Sequence, residues 1–270
     1  MAFSLPAVAI GAGTRLAVFD TIGSTSTEAL ARAASGERGP LWVVSPEQTA
    51  GRGRRGSPWQ TIRGNLAASL LLTTSLEPAV IAQLGFVAGV ALVAALERIG
   101  CGDAAFRLKW PNDVVTESGK LSGILLQTEA FHAGERSVVI GIGVNVVAAP
   151  RGLTYPTTSL RDMGSAAEAE TVFSALSESW LSCERAWAEG RGFDGIRREW
   201  LSRAAGLGGP VSVRIGDGAW HGRFETIDET GQLVMRCDDG SSRTISAGDV
   251  YFGSAHTERG ARPGGLGGQA

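Results

Sequence analysis

Between Gly51 and Trp59 three arginines, Arg52, Arg54 and Arg55, are interleaved with three glycines, and the stretch ends on Ser57-Pro58-Trp59. Arginine offers a planar, permanently charged fork that matches carboxylate and phosphate. Glycine lets the backbone approach a ligand closely and take positive φ. The apolar run Leu41-Trp42-Val43-Val44 precedes this stretch, so it reads as a strand ending in an anion-binding loop. No Gly-Lys-Ser/Thr follows, which excludes a Walker loop. Taken alone, the loop leaves two readings open: a ligand site, or a solvated Arg/Gly turn or basic nucleic-acid patch.

Other polar residues stand where the surrounding pattern is apolar. In Phe106–Val115 the proline of Lys109-Trp110-Pro111-Asn112-Asp113 forbids a regular central strand, so the chain turns there. A hairpin turn at Glu117-Ser118-Gly119 then sends Lys120–Leu126 back antiparallel, which sets Lys120 beside the Asn112-Asp113 corner. Read alone, Lys120 is an edge lysine that blunts aggregation. Val138–Val146 is a buried strand carrying Gly141 and Gly143; such glycines mark a bulge or the close approach of a ligand or another backbone. Asn145 in that run, and Ser69 in the strand Asn65–Thr73, each need a partner if buried. Hydroxyls from Ser24 to Thr27 cap a helix expected from near Glu28, and at a helix N-terminus they can also bond a polar ligand group.

The remaining pattern supplies the scaffold. Leu16–Phe19 reads as a strand, Ala79–Ile99 as one buried helix ended by Gly100, with Gly85 and Gly89 for close packing against a sheet. Gln83 is the one strongly polar residue in Ala79–Leu96, a length marginal for a membrane span; we read it as a core helix and the chain as soluble, with no membrane partner. Ser165–Gly190 and Phe193–Ala205 read as helices, the first with Val172, Phe173, Leu176, Trp180, Cys183 and Trp187 at helical spacing. After Gly206–Pro210 the periodicity changes to short strands at Val211–Ile215, Trp220–Ile227, Leu233–Cys237, Arg243–Ser246 and Val250–Phe252, with turns at Asp217-Gly218, Thr230-Gly231 and Asp239-Gly240. About fifty residues of this kind suit a small β-barrel of the SH3 type leaning on the larger domain.

A chain of 270 residues holds one large domain plus a small appendage. Its net charge of −2 provides no global field for nucleic acid, which makes the arginine cluster a local feature. Cys101, Cys183 and Cys237 are odd in number and far apart, which points to a reducing compartment. The N-terminus lacks the positive segment of a secretion signal, so the expected location is cytoplasmic.

Taken together, Gly51-Arg-Gly-Arg-Arg-Gly56 with Trp59, Lys109-Trp-Pro-Asn-Asp113, Lys120-Leu-Ser-Gly-Ile124 and Gly141-Ile-Gly-Val-Asn145 resemble the biotin protein ligases in order and spacing. The resemblance runs from about Ser24 to Phe252. It implies an α+β fold: a class II aminoacyl-tRNA synthetase-like catalytic domain over 1–207 and an SH3-like domain over 208–253; the Gly-rich composition of 254–270 reads separately as a disordered tail. It also implies protein biotinylation through an acyl-adenylate. Biotin and Mg-ATP (hence Mg2+ as cofactor) give biotinyl-5′-AMP, and a lysine of a biotin carboxyl carrier protein, or of a carboxylase's carrier domain, then takes the biotin. Two anions must approach before reaction, so fixed positive charge has to screen them. By the family pattern Lys120 and Arg54 are catalytic; Ser24, Thr25, Ser26, Gln48, Arg52, Gly53, Arg54, Ser69, Lys120 and Gly123 hold biotin; Arg52, Arg54, Arg55, Trp59, Lys109, Asn112 and Asn145 hold ATP or the adenylate. Asp113 is the candidate at a metal, Asn145 is expected near the adenine, and Trp59 and Trp110 are expected as apolar walls.

Two departures stand out. Some repressor-type relatives carry an arginine where Ser57 stands here, and no winged-helix segment precedes Leu16, so a ligase without DNA binding of its own is expected. A homodimer is compatible with the pattern but not specified by it. Rival readings are a lipoate or octanoate ligase of related fold, a biotin- or nucleotide-sensing module without catalysis, and an RNA-binding protein. The arginine loop and terminal barrel favour biotin over lipoate, and Arg54, Lys120 and Asn145 together exceed what binding alone demands. The acidic balance disfavours RNA.

Overall fold

Alternation along the central strands feeds two separate cores, and this decides where the helices lie. A computed structural model describes residues 2–101, 106–215, 218–246 and 248–252; the tail 254–270 and Asp217 of the expected Asp217-Gly218 turn lie outside the described residues. Seven strands, β1 (Arg15–Val18), β2 (Leu41–Ser45), β3 (Leu66–Thr74), β4 (Arg107–Lys109), β5 (Asp113–Thr116), β6 (Gly119–Ala130) and β7 (Arg136–Val144), form one sheet in the order β1-β2-β3-β7-β6-β5-β4. Only β1 and β2 pair in parallel. Trp42, Val44, Leu66, Ala68, Leu70, Val138, Ile140, Ile142 and Val144 face the large core, while Leu41, Val43, Leu71 and Val139 join a smaller one. That is the period of two expected of strands covered on both faces.

Helix α2 (Thr25–Ala34) covers the smaller core through Ala29 and Ala33. The other face is covered by α3 (Pro78–Ala82), α4 (Leu84–Arg98), α5 (Ala169–Trp187) and α6 (Phe193–Ser202). The single helix expected over Ala79–Ile99 is divided at Gln83, which keeps helical angles (φ −62°, ψ −22°). Gln83 is buried, and its Oε1 accepts from Trp187 Nε1 at 2.8 Å, so its amide oxygen is satisfied inside the core. The 21 residues Pro78–Arg98 are long and apolar enough to cross a membrane, yet 72% of their most apolar window is buried in this fold. Gly89 serves close packing, since a Cβ there would stand 3.0 Å from Leu108 Cδ2; Gly85 faces open space. Other bounds differ by a few residues: α2 begins at Thr25, with Ser24 as its N-cap, and α5 begins at Ala169.

The N-terminal residues, to which the sequence assigned no role, are part of the fold. Phe3 packs edge-on against Phe173, which also meets Trp42 edge-on at 5.6 Å, and Ala7–Gly11 forms a short helix, α1.

The last five strands, β8 (Pro210–Ile215), β9 (Gly218–Ile227), β10 (Leu233–Cys237), β11 (Ser242–Ile245) and β12 (Asp249–Phe252), make an antiparallel sheet in the order β11-β10-β9-β8-β12. Its apolar residues Val211, Val213, Phe224, Leu233 and Met235 merge with the large core. Trp110 Nε1 donates to the Gly231 carbonyl at 3.0 Å, and Arg197 Nε donates to the Ile227 carbonyl at 2.6 Å. Gly231 has φ +87°, and a Cβ there would lie 2.6 Å from the Phe86 ring; both facts require glycine.

Candidate active site

The open face of the first sheet, beside α2, carries a cavity of about 720 Å³. Its floor follows from register. Ser45, Ala67, Gly143, Gly123 and Asp113 pair in one row across β2, β3, β7, β6 and β5; Val43, Ser69, Gly141 and Leu125 form the next. Gly141 and Gly143 are two apart, hence on one face. A Cβ on Gly141 would stand 2.6 Å from Ser26 Oγ, and one on Gly143 would stand 2.4 Å from the Trp59 ring. Gly123 is crowded in the same way by Trp59 at 3.1 Å and by Lys120 Nζ at 3.4 Å. The Gly-x-Gly spacing therefore makes a flat floor of bare backbone.

One end of the floor is a polar corner at the start of α2. Gln48 Oε1 accepts from the Thr25 backbone N–H at 2.8 Å and from Thr25 Oγ1 at 3.1 Å. Thr25 Oγ1 lies 2.8 Å from Ser69 Oγ, which lies 3.0 Å from Ser26 Oγ. A backbone N–H can only donate, so the amide oxygen of Gln48 must face Thr25. Each hydroxyl has one hydrogen, and the direction of the relay follows: Ser26 donates to Ser69, Ser69 to Thr25, and Thr25 to Gln48. Every hydrogen points along the chain, and the Ser26 and Thr25 lone pairs left over accept. This corner suits N–H donors of a ligand. Gln48 is fixed at its other end, where Nε2 donates to Thr61 Oγ1 at 3.0 Å.

The opposite end is cationic. Arg52, Arg54, Arg55, Lys109 and Lys120 line the cavity against two carboxylates, Asp113 and Glu117, although the whole chain is slightly acidic. Arg54 Nη1 donates to Asn112 Oδ1 at 3.3 Å, and Asn112 is itself locked onto Ile124 by an Nδ2–carbonyl bond of 2.5 Å and a backbone bond of 2.8 Å. The Arg54–Gly56 segment is a single 3-10 turn with Arg55 at φ +53°. Ser57, whose effect on the loop the sequence left open, closes this turn: its Oγ and backbone N–H both donate to the Arg54 carbonyl, at 2.8 and 3.0 Å.

Lys120 Nζ sits 2.7 Å from Asp113 Oδ1, 5.6 Å from the Trp59 ring centroid and 5.7 Å from that of Tyr155. Asp113, expected at a metal, is ion-paired with Lys120 in this structure, and among the described residues no group of three acidic, histidine or cysteine side chains is placed to hold a metal ion by itself.

Thr25, Ser26, Gln48, Arg52, Gly53, Arg54, Arg55, Trp59, Lys109, Asn112, Lys120 and Gly123 all line the cavity, as does Trp110. Three expected site residues stand behind its wall. Ser24 is used as the N-cap of α2, accepting from the Thr27 N–H at 3.4 Å. Ser69 is the buried middle of the hydroxyl relay. Asn145 is buried, its Nδ2 donating to the Thr158 carbonyl at 3.1 Å, while its Oδ1 has no hydrogen-bond partner among the described residues. The sequence reading missed Tyr155, which carried no signal beyond preceding a proline, and Val250 and Tyr251 of β12, which only the packing of the second sheet brings to the cavity.

Residues 18–145 match the biotin/lipoate A/B protein ligase family, and residues 206–253 match the biotin protein ligase C-terminal domain. A biotin–[acetyl-CoA-carboxylase] ligase of Paracoccus denitrificans is 41% identical over 237 residues, 85% of this chain and 97% of that protein. The chain belongs to the biotin protein ligase family. A bifunctional ligase/repressor BirA of Bacillus subtilis is 30% identical over 89% of the chain and 75% of its own length. Among solved structures, the Aquifex aeolicus biotin protein ligase in complex with biotin and ATP superposes with a TM-score of 0.74 at 26% identity, covering 88% of this chain and 98% of that one. The mixed sheet with helices followed by an antiparallel sheet is therefore the architecture of this family.

Proposed function

We infer that the chain is an ATP-dependent biotin–protein ligase. The observation that carries this is one glycine-floored cavity with a hydrogen-bond-accepting corner at one end and five cationic side chains at the other. A urea ring presents N–H donors to such a corner, and a carboxylate and a phosphate chain present negative charge to such a cluster. Two of the proteins it resembles fit: one is a biotin–[acetyl-CoA-carboxylase] ligase, the other was solved with biotin and ATP.

In this reading Thr25, Ser26 and Gln48, aligned by Ser69 and by the Ser24 cap, receive the ureido head. The ring is placed against Trp59, which lies over the glycine floor at Gly123 and Gly143, with Trp110 as a second wall. Lys120, Arg52 and Arg54, with Gly53 giving the loop backbone access, hold the biotin carboxylate against the α-phosphate of ATP. A carboxylate oxygen attacks that phosphorus, the bond to the β-phosphate oxygen breaks, and pyrophosphate leaves with its charge met by Arg55, Lys109 and Asn112. The amine of an acceptor lysine then attacks the mixed-anhydride carbonyl and AMP departs. Preorganised charge at the developing phosphorane is the main source of acceleration. Asn145 is placed near the adenine as a residue behind the wall, where its Nδ2 holds the segment at Thr158. Mg2+ would enter with the nucleotide phosphates, as is usual for this ion, and Asp113, a carboxylate lining the cavity, is the residue that would hold it once Lys120 turned to the substrates.

We further propose a class II synthetase-like catalytic domain over 1–207 and an SH3-like domain over 208–253, supported by the change from mixed to purely antiparallel sheet. The acceptor is proposed to be a biotin carboxyl carrier protein or carrier domain in the cytoplasm. With a net charge of −2, operator binding is not part of the proposal, and a homodimer is compatible with it. The second family match, over 206–253, favours biotin over lipoate.

The test is intact-mass analysis of a carrier domain incubated with the protein, Mg-ATP and biotin. An ATP-dependent gain of one biotin is expected. Lipoate gain in its place would move the chain to the lipoate branch, and neither gain, with no biotin-dependent ATP–pyrophosphate exchange, would refute catalysis. A finer prediction concerns the floor. Gly141→Ala sets a methyl against Ser26 Oγ and pushes it off Ser69, so the KM for biotin rises about tenfold, the equivalent of one hydrogen bond, with ATP saturation little changed. An unaltered biotin KM in exchange assays would remove the corner from the biotin site.

A further inference from the structure

Tyr155 is a large aromatic residue left 47% exposed at the cavity edge, and the chain holds it there with several backbone bonds. Lys120 N–H donates to the Pro156 carbonyl at 2.9 Å, and Thr158 N–H donates to the Lys120 carbonyl at 3.0 Å. The segment after β7 thus forms a short parallel bridge, Lys120 to Thr157, beside the start of β6 just past the end of its pairing with β7 at Ser122 and Val144. Thr157 Oγ1 ties the same segment to the Pro150 carbonyl at 2.6 Å, and Asn145 Nδ2 ties it to β7 through Thr158. Gly119 permits the approach, because a Cβ there would lie 2.5 Å from the Pro156 carbonyl carbon. This bracing sets the Tyr155 ring beside the ammonium of Lys120, 5.7 Å from the ring centroid.

We propose that Tyr155 is a positioning residue for Lys120. The inference rests on the role given to Lys120 above. A lysine has four rotatable side-chain bonds, and its point charge must meet a carboxylate and a phosphate at once. Three groups confine it: the Asp113 carboxylate, the Trp59 ring and the Tyr155 ring. The first carries charge that the substrates must displace. The second rides on the Arg/Gly loop, at 5.6 Å from the ammonium. Asp113 sits on β5, whose Val115 is the register partner of Lys120, and Tyr155 directly precedes the Pro156–Thr158 segment bonded to the Lys120 backbone; of these two, Tyr155 is uncharged and need not be displaced by substrate. Its ring face keeps the ammonium inside the cavity when Asp113 is exchanged for substrate, through the attraction of a cation to an aromatic face.

Two readouts test this on the full-length chain, comparing wild type, Tyr155→Phe and Tyr155→Leu after thermal melts confirm that each is folded. The first is the rate at which an amine-reactive succinimidyl ester labels Lys120, read by peptide mass spectrometry. With Tyr155→Leu the rate should rise on the order of 3- to 5-fold, the scale of an exposed cation–π contact, and with Tyr155→Phe it should match wild type. The second is biotin-dependent ATP–pyrophosphate exchange, where kcat should fall by a similar factor in Tyr155→Leu, with the ATP KM nearly unchanged and phenylalanine restoring it. Unchanged Lys120 labelling in folded Tyr155→Leu overturns the proposal. So does a raised ATP KM at constant kcat, which would make Tyr155 a nucleotide-stacking residue. If wild type shows no exchange at all, the ligase reading fails, while the labelling contrast still decides whether Tyr155 positions Lys120.

Discussion

Replacing Lys120 by alanine should lower biotin-dependent adenylate formation by about 100- to 1,000-fold, the usual cost of removing one preorganised charge from a transition state that gains negative charge. The side chain is only 20% exposed and its partner Asp113 18%, so the ammonium acts where water screens it weakly. The same burial means that the substitution also touches stability. An edge lysine would be replaced at almost no cost, but here the change leaves the Asp113 carboxylate half-buried without its counter-ion. A loss of about 1–2 kcal/mol follows, the scale of an unmet polar group. The pair Lys120→Ala/Asp113→Asn separates the two effects: the second change should recover most of the stability and none of the exchange activity. Exchange within a few-fold of wild type in folded Lys120→Ala protein would remove Lys120 from the chemistry. An activity that returned with Asp113→Asn would show that the single variant failed by local distortion alone.

What could be read in advance divides along physical lines. Polar residues inside apolar runs were informative because burial forces a polar group to find a partner. Ser69 found two, Thr25 and Ser26, and Gln83, inside the segment that resembles a membrane span, found Trp187. The Gly-x-Gly of β7 was informative because a missing side chain on one face of a strand implies something lying against it. Trp59 and Ser26 are what lies there. Short hairpins also placed Lys120 beside Asp113, since register follows from turn length.

Contacts that join distant segments were not legible. Tyr155 reaches the site through backbone bonds to Lys120, and no periodicity encodes that pairing. Val250 and Tyr251 reach it only because the second sheet docks where it does. The bonds made before a ligand arrives were also hidden: Lys120 lines the cavity as expected but is ion-paired with Asp113, and Asn145 bonds the Thr158 carbonyl. A spacing pattern identifies which residues gather, while the hydrogen-bond inventory of the folded site decides what each is bonded to before a ligand arrives.

Trp110 is one of the residues that tie the second sheet to the first, and Trp110→Ala should be strongly destabilising. Trp110 is 2% exposed, belongs to the large core and donates its indole N–H to the Gly231 carbonyl across 121 positions of sequence. Deleting a buried indole costs about 3–5 kcal/mol from lost burial and the cavity left behind. That is a large share of the roughly 5–15 kcal/mol that holds a domain together. Trp110→Phe keeps most of the ring but gives up the bond to Gly231, for a loss of about 1–2 kcal/mol. The consequence reaches the chemistry because the next three residues, Pro111, Asn112 and Asp113, line the cavity, and Asn112 and Asp113 hold Arg54 and Lys120 respectively. Denaturant melts should therefore rank wild type above the phenylalanine variant and that above the alanine variant. The alanine variant should lose adenylate formation even at denaturant concentrations where the sheet of β1–β7 is still folded. If Trp110→Ala melts within about 1 kcal/mol of wild type, well below the cost of a buried indole, the two sheets do not depend on this contact. Retention of full exchange activity in that variant would show that the Asn112-Asp113 corner keeps its shape without the tryptophan, held by the Asn112–Ile124 bonds alone.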